Sequence, residues 1–132
     1  MLPRKDFLTE VIFSRKRVGY KFSKHEILFK EEDKADKAYY ICKGIIAIIK
    51  RNTLGESFKI YTINSNEVIG IQDVYNNGIY NTTAIALVPV VAYAVTRREI
   101  EYKLNQKPFL KPIFAKWLSS HLLTLENKLF KM

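Results

Sequence analysis

Apolar residues follow two rhythms along this chain, and the change of rhythm divides it. Residues 26–29, 38–42 and 45–50 are short apolar runs rich in β-branched and aromatic side chains, separated by polar turn chemistry. Asn52-Thr53-Leu54-Gly55-Glu56 reads as a hairpin loop. Residues 58–63 alternate Phe58, Ile60 and Thr62 against Lys59, Tyr61 and Ile63, the pattern of a half-buried strand. After Asn64-Ser65-Asn66, a short strand at Val68-Ile69 ends at Gly70, and Asn76-Asn77-Gly78 marks a further turn. Residues 82–87 and 90–95 are strongly β-prone and hinge at Pro89. Seven or eight short strands with regular turns predict an all-β sandwich or barrel.

Helical spacing appears at both ends. Phe7, Leu8, Val11 and Ile12 predict a short amphipathic helix over residues 6–13, and residues 15–24, polar and basic, read as a connection. Thr96-Arg97-Arg98-Glu99 has the form of a capping box, with Ile100 and Leu104 on one face of the helix that follows. Pro108 and Pro112 are tolerated only near a helix start, and no Gly or Pro occurs beyond Pro112. A long helix is therefore expected from Pro108 to Met132. Its apolar residues form two stripes: Leu110, Phe114, Trp117 and His121, and then Leu118, Leu122, Leu125 and Leu129. One stripe can pack on the β-domain. The surplus stripe needs another surface, and a second copy of the same helix is the simplest, giving a homodimer. A helix buried wholly within its own domain is the alternative.

Composition narrows this picture only slightly. A chain of 132 residues closes one core, and 48% hydrophobic with 27% charged residues is ordinary for a folded domain. The net charge of +9 comes from 22 Lys and Arg against 13 Asp and Glu, spread along the chain and densest at Arg15-Lys16-Arg17. We read it as a solvated basic surface, with nucleic-acid binding by the basic N-terminal segment as a minor alternative. One cysteine, Cys42, excludes an internal disulfide and a multi-cysteine metal site, and its apolar run suggests a buried thiol. The apolar stretch over residues 84–95 is too short to span a bilayer, and no signal-peptide core is visible. A cytoplasmic protein without membrane contact is expected. His25 and His121 are far apart in sequence, and no catalytic or metal-binding constellation stands out, so neither an enzyme nor a metal site is expected.

The run from Glu26 to Gly44, Glu-Ile-Leu-Phe-Lys-Glu-Glu-Asp-Lys-Ala-Asp-Lys-Ala-Tyr-Tyr-Ile-Cys-Lys-Gly, resembles the opening of the cyclic-nucleotide-binding domain in Crp/Fnr-type bacterial regulators. Gly55-Glu56, Asn66-Glu67-Val68-Ile69-Gly70, residues 82–95 and Pro108 continue the resemblance to the C-terminus. Two family glycines are replaced, by Lys24-His25 and by Glu32. The resemblance implies a mainly β fold with flanking helices: a double-stranded β-helix, or jelly-roll-like β-roll, of about eight short strands over residues 25–107. An N-terminal helix and connection over residues 1–24 would precede it, and a dimerisation helix over residues 108–132 would follow. It also implies a regulatory, effector-sensing role in transcription. In the full-length family a helix-turn-helix domain follows the long helix, and this chain as given has none, so no direct DNA binding is expected of it.

The family cassette holds a cyclic nucleotide by backbone N–H groups, an Arg on the phosphate and a Glu on the ribose 2′-OH. Carried onto this chain, Gly70 keeps the close backbone approach, the Glu position falls on Ile71 and the Arg position on Asn81. The adenine-facing pair falls on Leu125-Glu126. Losing an Arg–phosphate pair costs about 2–5 kcal/mol at a desolvated site, and an unpaired 2′-OH about 1–3 kcal/mol more. A micromolar ligand would become roughly millimolar or worse. We therefore expect no bound cyclic nucleotide and no cofactor. The candidate pocket consists of Val68, Gly70, Ile71, Gln72, Tyr80, Asn81, Thr82 and Thr83, with Tyr75 nearby, and would hold a less charged small effector or nothing. The alternative function is a ligand-free protein–protein interaction module working through the long helix.

Overall fold

The computed structural model describes Ile12 and residues 19–130. Eight strands form two four-stranded antiparallel sheets. In chain order they are β1 (Tyr20–Phe22), β2 (Ile27–Phe29), β3 (Lys37–Lys43), β4 (Ile46–Arg51), β5 (Ser57–Ile63), β6 (Val68–Ile69), β7 (Thr83–Ala86) and β8 (Val90–Thr96). One sheet has the order β1-β8-β3-β6 and the other β2-β7-β4-β5. Neighbours within each sheet are mostly distant in sequence, which is how a β-roll winds. Three helices lie within residues 19–130: α1 (Ile71–Tyr75), α2 (Arg97–Gln106) and α3 (Leu110–Phe130). The core lies between the sheets, where Ala38, Ile41, Ile46, Ala84, Ala86 and Ala92 are fully buried. Small alanines on the central strands allow the two sheets to approach closely.

The structure departs from the sequence-based expectation at several points. The connection over residues 15–24 contains a strand: Tyr20, Lys21 and Phe22 pair with Ala92, Val91 and Val90 of β8. Only one of its three residues is even partly buried, so no hydrophobic period announces it. Cys42 is exposed. Side chains alternate across a strand, and Ile41 takes the inward position, so its neighbour turns out. β5 is less buried than expected. It is the sheet's edge, Phe58 is exposed, and only Ile63 is fully buried, with Ile60 and Tyr61 partly buried against the core. The expected N-terminal helix lies outside the described residues except for Ile12, which is helical and buried.

Local chemistry explains the joints. Asn52 Oδ1 accepts from the N–H groups of Leu54 and Glu56, each at 2.9 Å, and so fixes the β4–β5 hairpin turn. Gly44 has φ +123°, and a Cβ there would lie 2.6 Å from Val90 and 2.9 Å from the Pro89 carbonyl, so only glycine fits. The capping box is formed: Thr96 Oγ1 accepts from Glu99 N–H at 3.1 Å, and Glu99 Oε1 accepts from Thr96 N–H at 2.9 Å. Ile100 and Leu104 then face the core. His25 and Glu32, the residues at the replaced family glycines, have φ of 74° and 78°. The left-handed turns persist there without glycine.

α3 divides its apolar residues differently from the two expected stripes. Leu110 and Phe114 are buried, and Trp117, Leu118 and Leu125 are partly buried against the core. Leu122 and Leu129 are exposed, as are Ile113 and Leu123. The second stripe is thus shared, half of it leaning on the roll and half facing outward.

Candidate functional site

The turn after β6 creates the site. Gly70 has φ 83°, and a Cβ there would press on the Lys37 carbonyl and the Tyr80 ring, each at 3.3 Å. The chain swings directly into the short helix α1, with Val74 N–H donating to the Gly70 carbonyl at 3.1 Å. Beside α1, between the roll and α3, lies a cleft with an empty volume of about 230 Å³, open mouth included. Its interior has room for about one water molecule. Phe29, Ile48, Tyr61, Ile63, Val68, Ile69, Gly70, Gln72, Thr82 and Leu125 line it. No charged side chain is among them. Burial pushes the Tyr61 hydroxyl up to about 12, so it stays protonated. Gln72 Oε1 is buried without a hydrogen-bond partner.

Of the residues expected to form a pocket, Val68, Gly70, Gln72 and Thr82 line this cleft, and four do not. Ile71 is fully buried in the core. Tyr80 stacks on Phe29 with ring centroids 3.9 Å apart, and its hydroxyl donates to the Lys37 carbonyl at 2.5 Å. Asn81 turns away to donate from Nδ2 to Asp73 Oδ1 at 3.1 Å. Thr83 Oγ1 accepts from Glu31 N–H at 2.9 Å. Tyr75 also lies elsewhere: it packs on Phe114, with centroids 6.0 Å apart, and under the Arg97 guanidinium at 4.8 Å. The side walls, Phe29, Ile48, Tyr61 and Ile63, escaped the sequence reading because they come from strands remote in the chain. Leu125 carried a signal, since the resemblance placed the adenine-facing pair at Leu125-Glu126.

A polar network that the sequence did not reveal runs along one side of α1. Asp73 is 2% exposed. Burial pushes its carboxyl up to about 6, against the Asn81 hydrogen bonds and the charge of Lys50, which favour the ionised form. The Asn81 carbonyl accepts from Lys50 Nζ at 2.9 Å, and the same ammonium meets Glu31 Oε2 at 2.9 Å. Glu31 Oε1 accepts from Arg51 N–H at 3.2 Å. The Lys50 hydrogen bond, foremost, holds the Glu31 carboxyl below its ordinary value. The Lys50 ammonium is therefore already committed to a carboxylate.

Two sheets wound into a roll, a short helix after the Gly70 turn and a long C-terminal helix define a cyclic-nucleotide-binding-type β-roll. The family model described as the cyclic nucleotide-binding domain matches residues 20–107. The chain belongs to that family. It is 26% identical over 110 residues to the anaerobic regulatory protein of Bacillus subtilis, covering 83% of this chain and 46% of that protein. It is 24% identical over 107 residues to the global nitrogen regulator of Nostoc, covering 80% and 48%. The chain thus spans about half the length of these curated relatives. Among solved structures, a cyclic nucleotide-binding domain from Methylobacillus flagellatus superposes with a TM-score of 0.80 at 18% identity, covering 86% of this chain and 64% of that one. Thermus thermophilus catabolite activator protein gives 0.74 at 16% identity, covering 96% and 58%. At such identities these structures speak for the fold alone.

Proposed function

We propose that this chain is the regulatory module of a Crp/Fnr-like transcription regulator, that its cassette does not take cyclic nucleotides, and that it works as a homodimer through α3. The observation that carries the second part is the pairing of Asn81 with the buried Asp73. At the position where the resemblance implies an Arg for the phosphate, this chain has a neutral amide, and the amide is already engaged. Ile71, at the position implied for the ribose-binding Glu, is buried in the core and offers no acceptor. The cleft is also too small for a nucleotide in this conformation.

The role in regulation rests on the relatives, both of which are named as regulators. The dimer rests on Leu122 and Leu129, exposed on the same helix whose Leu118 and Leu125 lean on the roll. Those four positions have coiled-coil spacing. A small effector would be a neutral molecule that widens the cleft beyond its one-water interior and donates to Gln72 Oε1. A thermal melt tests the cassette. A micromolar ligand at about 1 mM would stabilise the fold by roughly 4 kcal/mol, so a melting temperature unchanged by cAMP and cGMP is the expected result. A rise of several degrees with either nucleotide contradicts the reading.

A second reading, an interaction module that binds a different protein through α3, draws on the same exposed side chains. Light scattering separates the two: a dimer favours the first, and a stable monomer the second.

A further inference from the structure

Hydrogen bonds from neighbouring parts of the chain hold the segment between α1 and β7 in place. Gly78 N–H donates to the Asp73 carbonyl at 2.9 Å, and Ala35 N–H to the Gly78 carbonyl at 2.7 Å. Tyr80 N–H donates to the Asp33 carbonyl at 3.0 Å, and Glu32 N–H to the Tyr80 carbonyl at 2.8 Å. These bonds stitch the segment to the β2–β3 loop. At its end, the Asn81 side chain donates inward to Asp73 while its carbonyl accepts from Lys50. Asp73 is the only buried charged side chain among the described residues. Placing a carboxylate there costs free energy unless the groups around it supply hydrogen bonds. Asn81 from the segment and Lys50 from β4 are the groups that favour the charge, and Tyr61 of β5 and Tyr80 of the segment are the ionisable neighbours that feel it.

We propose that Asp73 is a built-in anion: its carboxylate clasps Asn81 from within, holds the segment closed, and turns away anionic ligands. A phosphate approaching Asn81 would have to displace an acceptor already in place. It would also meet a like charge in a desolvated setting, where repulsion is strong. The clasp stands on hydrogen-bond geometry and is independent of what the domain regulates. Only its rejection of anions rests on the cassette reading above.

Hydrogen exchange on the whole chain, read at the amides of Glu32, Ala35, Gly78 and Tyr80, tests the clasp. In Asp73→Ala these amides are expected to exchange about tenfold faster or more, the factor lost with one charge-assisted hydrogen bond, while β4 and β8 amides hold. Sodium formate, a free carboxylate sized for the vacated space, is expected to slow them again, and sodium chloride at equal ionic strength is not. Asn81→Ala should show the same local acceleration without formate rescue, and it carries the test alone should Asp73→Ala fail to fold by circular dichroism. Unchanged exchange in the variants overturns the clasp. Acceleration that formate does not reverse, or that chloride reverses equally, overturns the built-in anion. Neither result depends on whether cAMP binds, so failure here is distinguishable from failure of the proposed function.

Discussion

Backbone strain at His25 and Glu32 is the clearest residue-scale feature of this chain. Both sit in the left-handed region with a Cβ, at a cost of about 1 kcal/mol each. Both are exposed, so glycine would sacrifice no buried contact. His25→Gly and Glu32→Gly are each expected to raise stability by about 0.5–1 kcal/mol, seen as a higher denaturation midpoint with an unchanged slope. The sequence showed both departures from the family pattern. It did not show that the turn geometry survives them, because φ is set by the surrounding hydrogen bonds, such as His25 N–H to the Ala86 carbonyl at 2.7 Å.

Asp73 gives a second residue-scale expectation. Its folded pKa is raised to about 6, so the folded state holds the proton more tightly than the unfolded chain does. Protonating Asp73 therefore adds stability that is fully present below the ordinary carboxylate value and is lost as pH rises through about 6, while the Asn81 hydrogen bond to the carboxylate remains. Relative to wild type, Asp73→Asn should therefore gain stability between pH 4 and pH 7, by on the order of 1–3 kcal/mol. Urea titrations at the two pH values check this, and a constant difference contradicts it. A single Asp in a polar-looking stretch carries no sequence signal of such burial. Only the fold puts it beneath Asn81.

Elements were more legible than residues where one face decides their character. The capping box at Thr96 and Glu99, the turn at Gly44, the end of β6 at Gly70 and the hinge at Pro89 follow from local chemistry and stand where the sequence places them. β1 was missed because a short edge strand is recruited by β8 rather than by its own pattern. The split of α3 was missed for a related reason. Periodicity gives the faces of a helix but not what covers them. One tertiary contact fixes the far end of α3: Lys128 Nζ donates to the Thr62 carbonyl at 3.0 Å and lies 3.4 Å from Glu67 Oε1. This tether keeps Leu125 over the cleft. Lys128→Met should cost about 0.5–2 kcal/mol and speed hydrogen exchange in the last turns of α3, with α2 unaffected.

At the scale of the whole molecule, the roll is a two-sheet body and α3 is a long helix with apolar residues exposed along it. Leu122 and Leu129 face outward there, and a charge at either position would have to be desolvated in a dimer. Leu122→Lys and Leu129→Lys are expected to leave the monomer folded and to lower the scattering mass towards that of one chain. A mass of one chain already in the unmutated protein would favour the interaction-module reading instead. The same view places the candidate site at the junction of roll and helix, with Leu125 from α3 and Gln72 from the end of the Gly70 turn on its walls. Strand count, winding and long helix were legible from spacing and resemblance together. The walls of the cleft were not, since four separate strands contribute to it.

The central question is whether this cassette has the family fold without the family's nucleotide. Titration calorimetry of the chain with cAMP at neutral pH measures that directly. On the proposed function, no saturable heat is expected up to about 1 mM, since Ile71 and Asn81 in place of the implied Glu and Arg would put the dissociation constant at roughly millimolar or weaker. A saturable isotherm with a micromolar dissociation constant and one site per chain would contradict it.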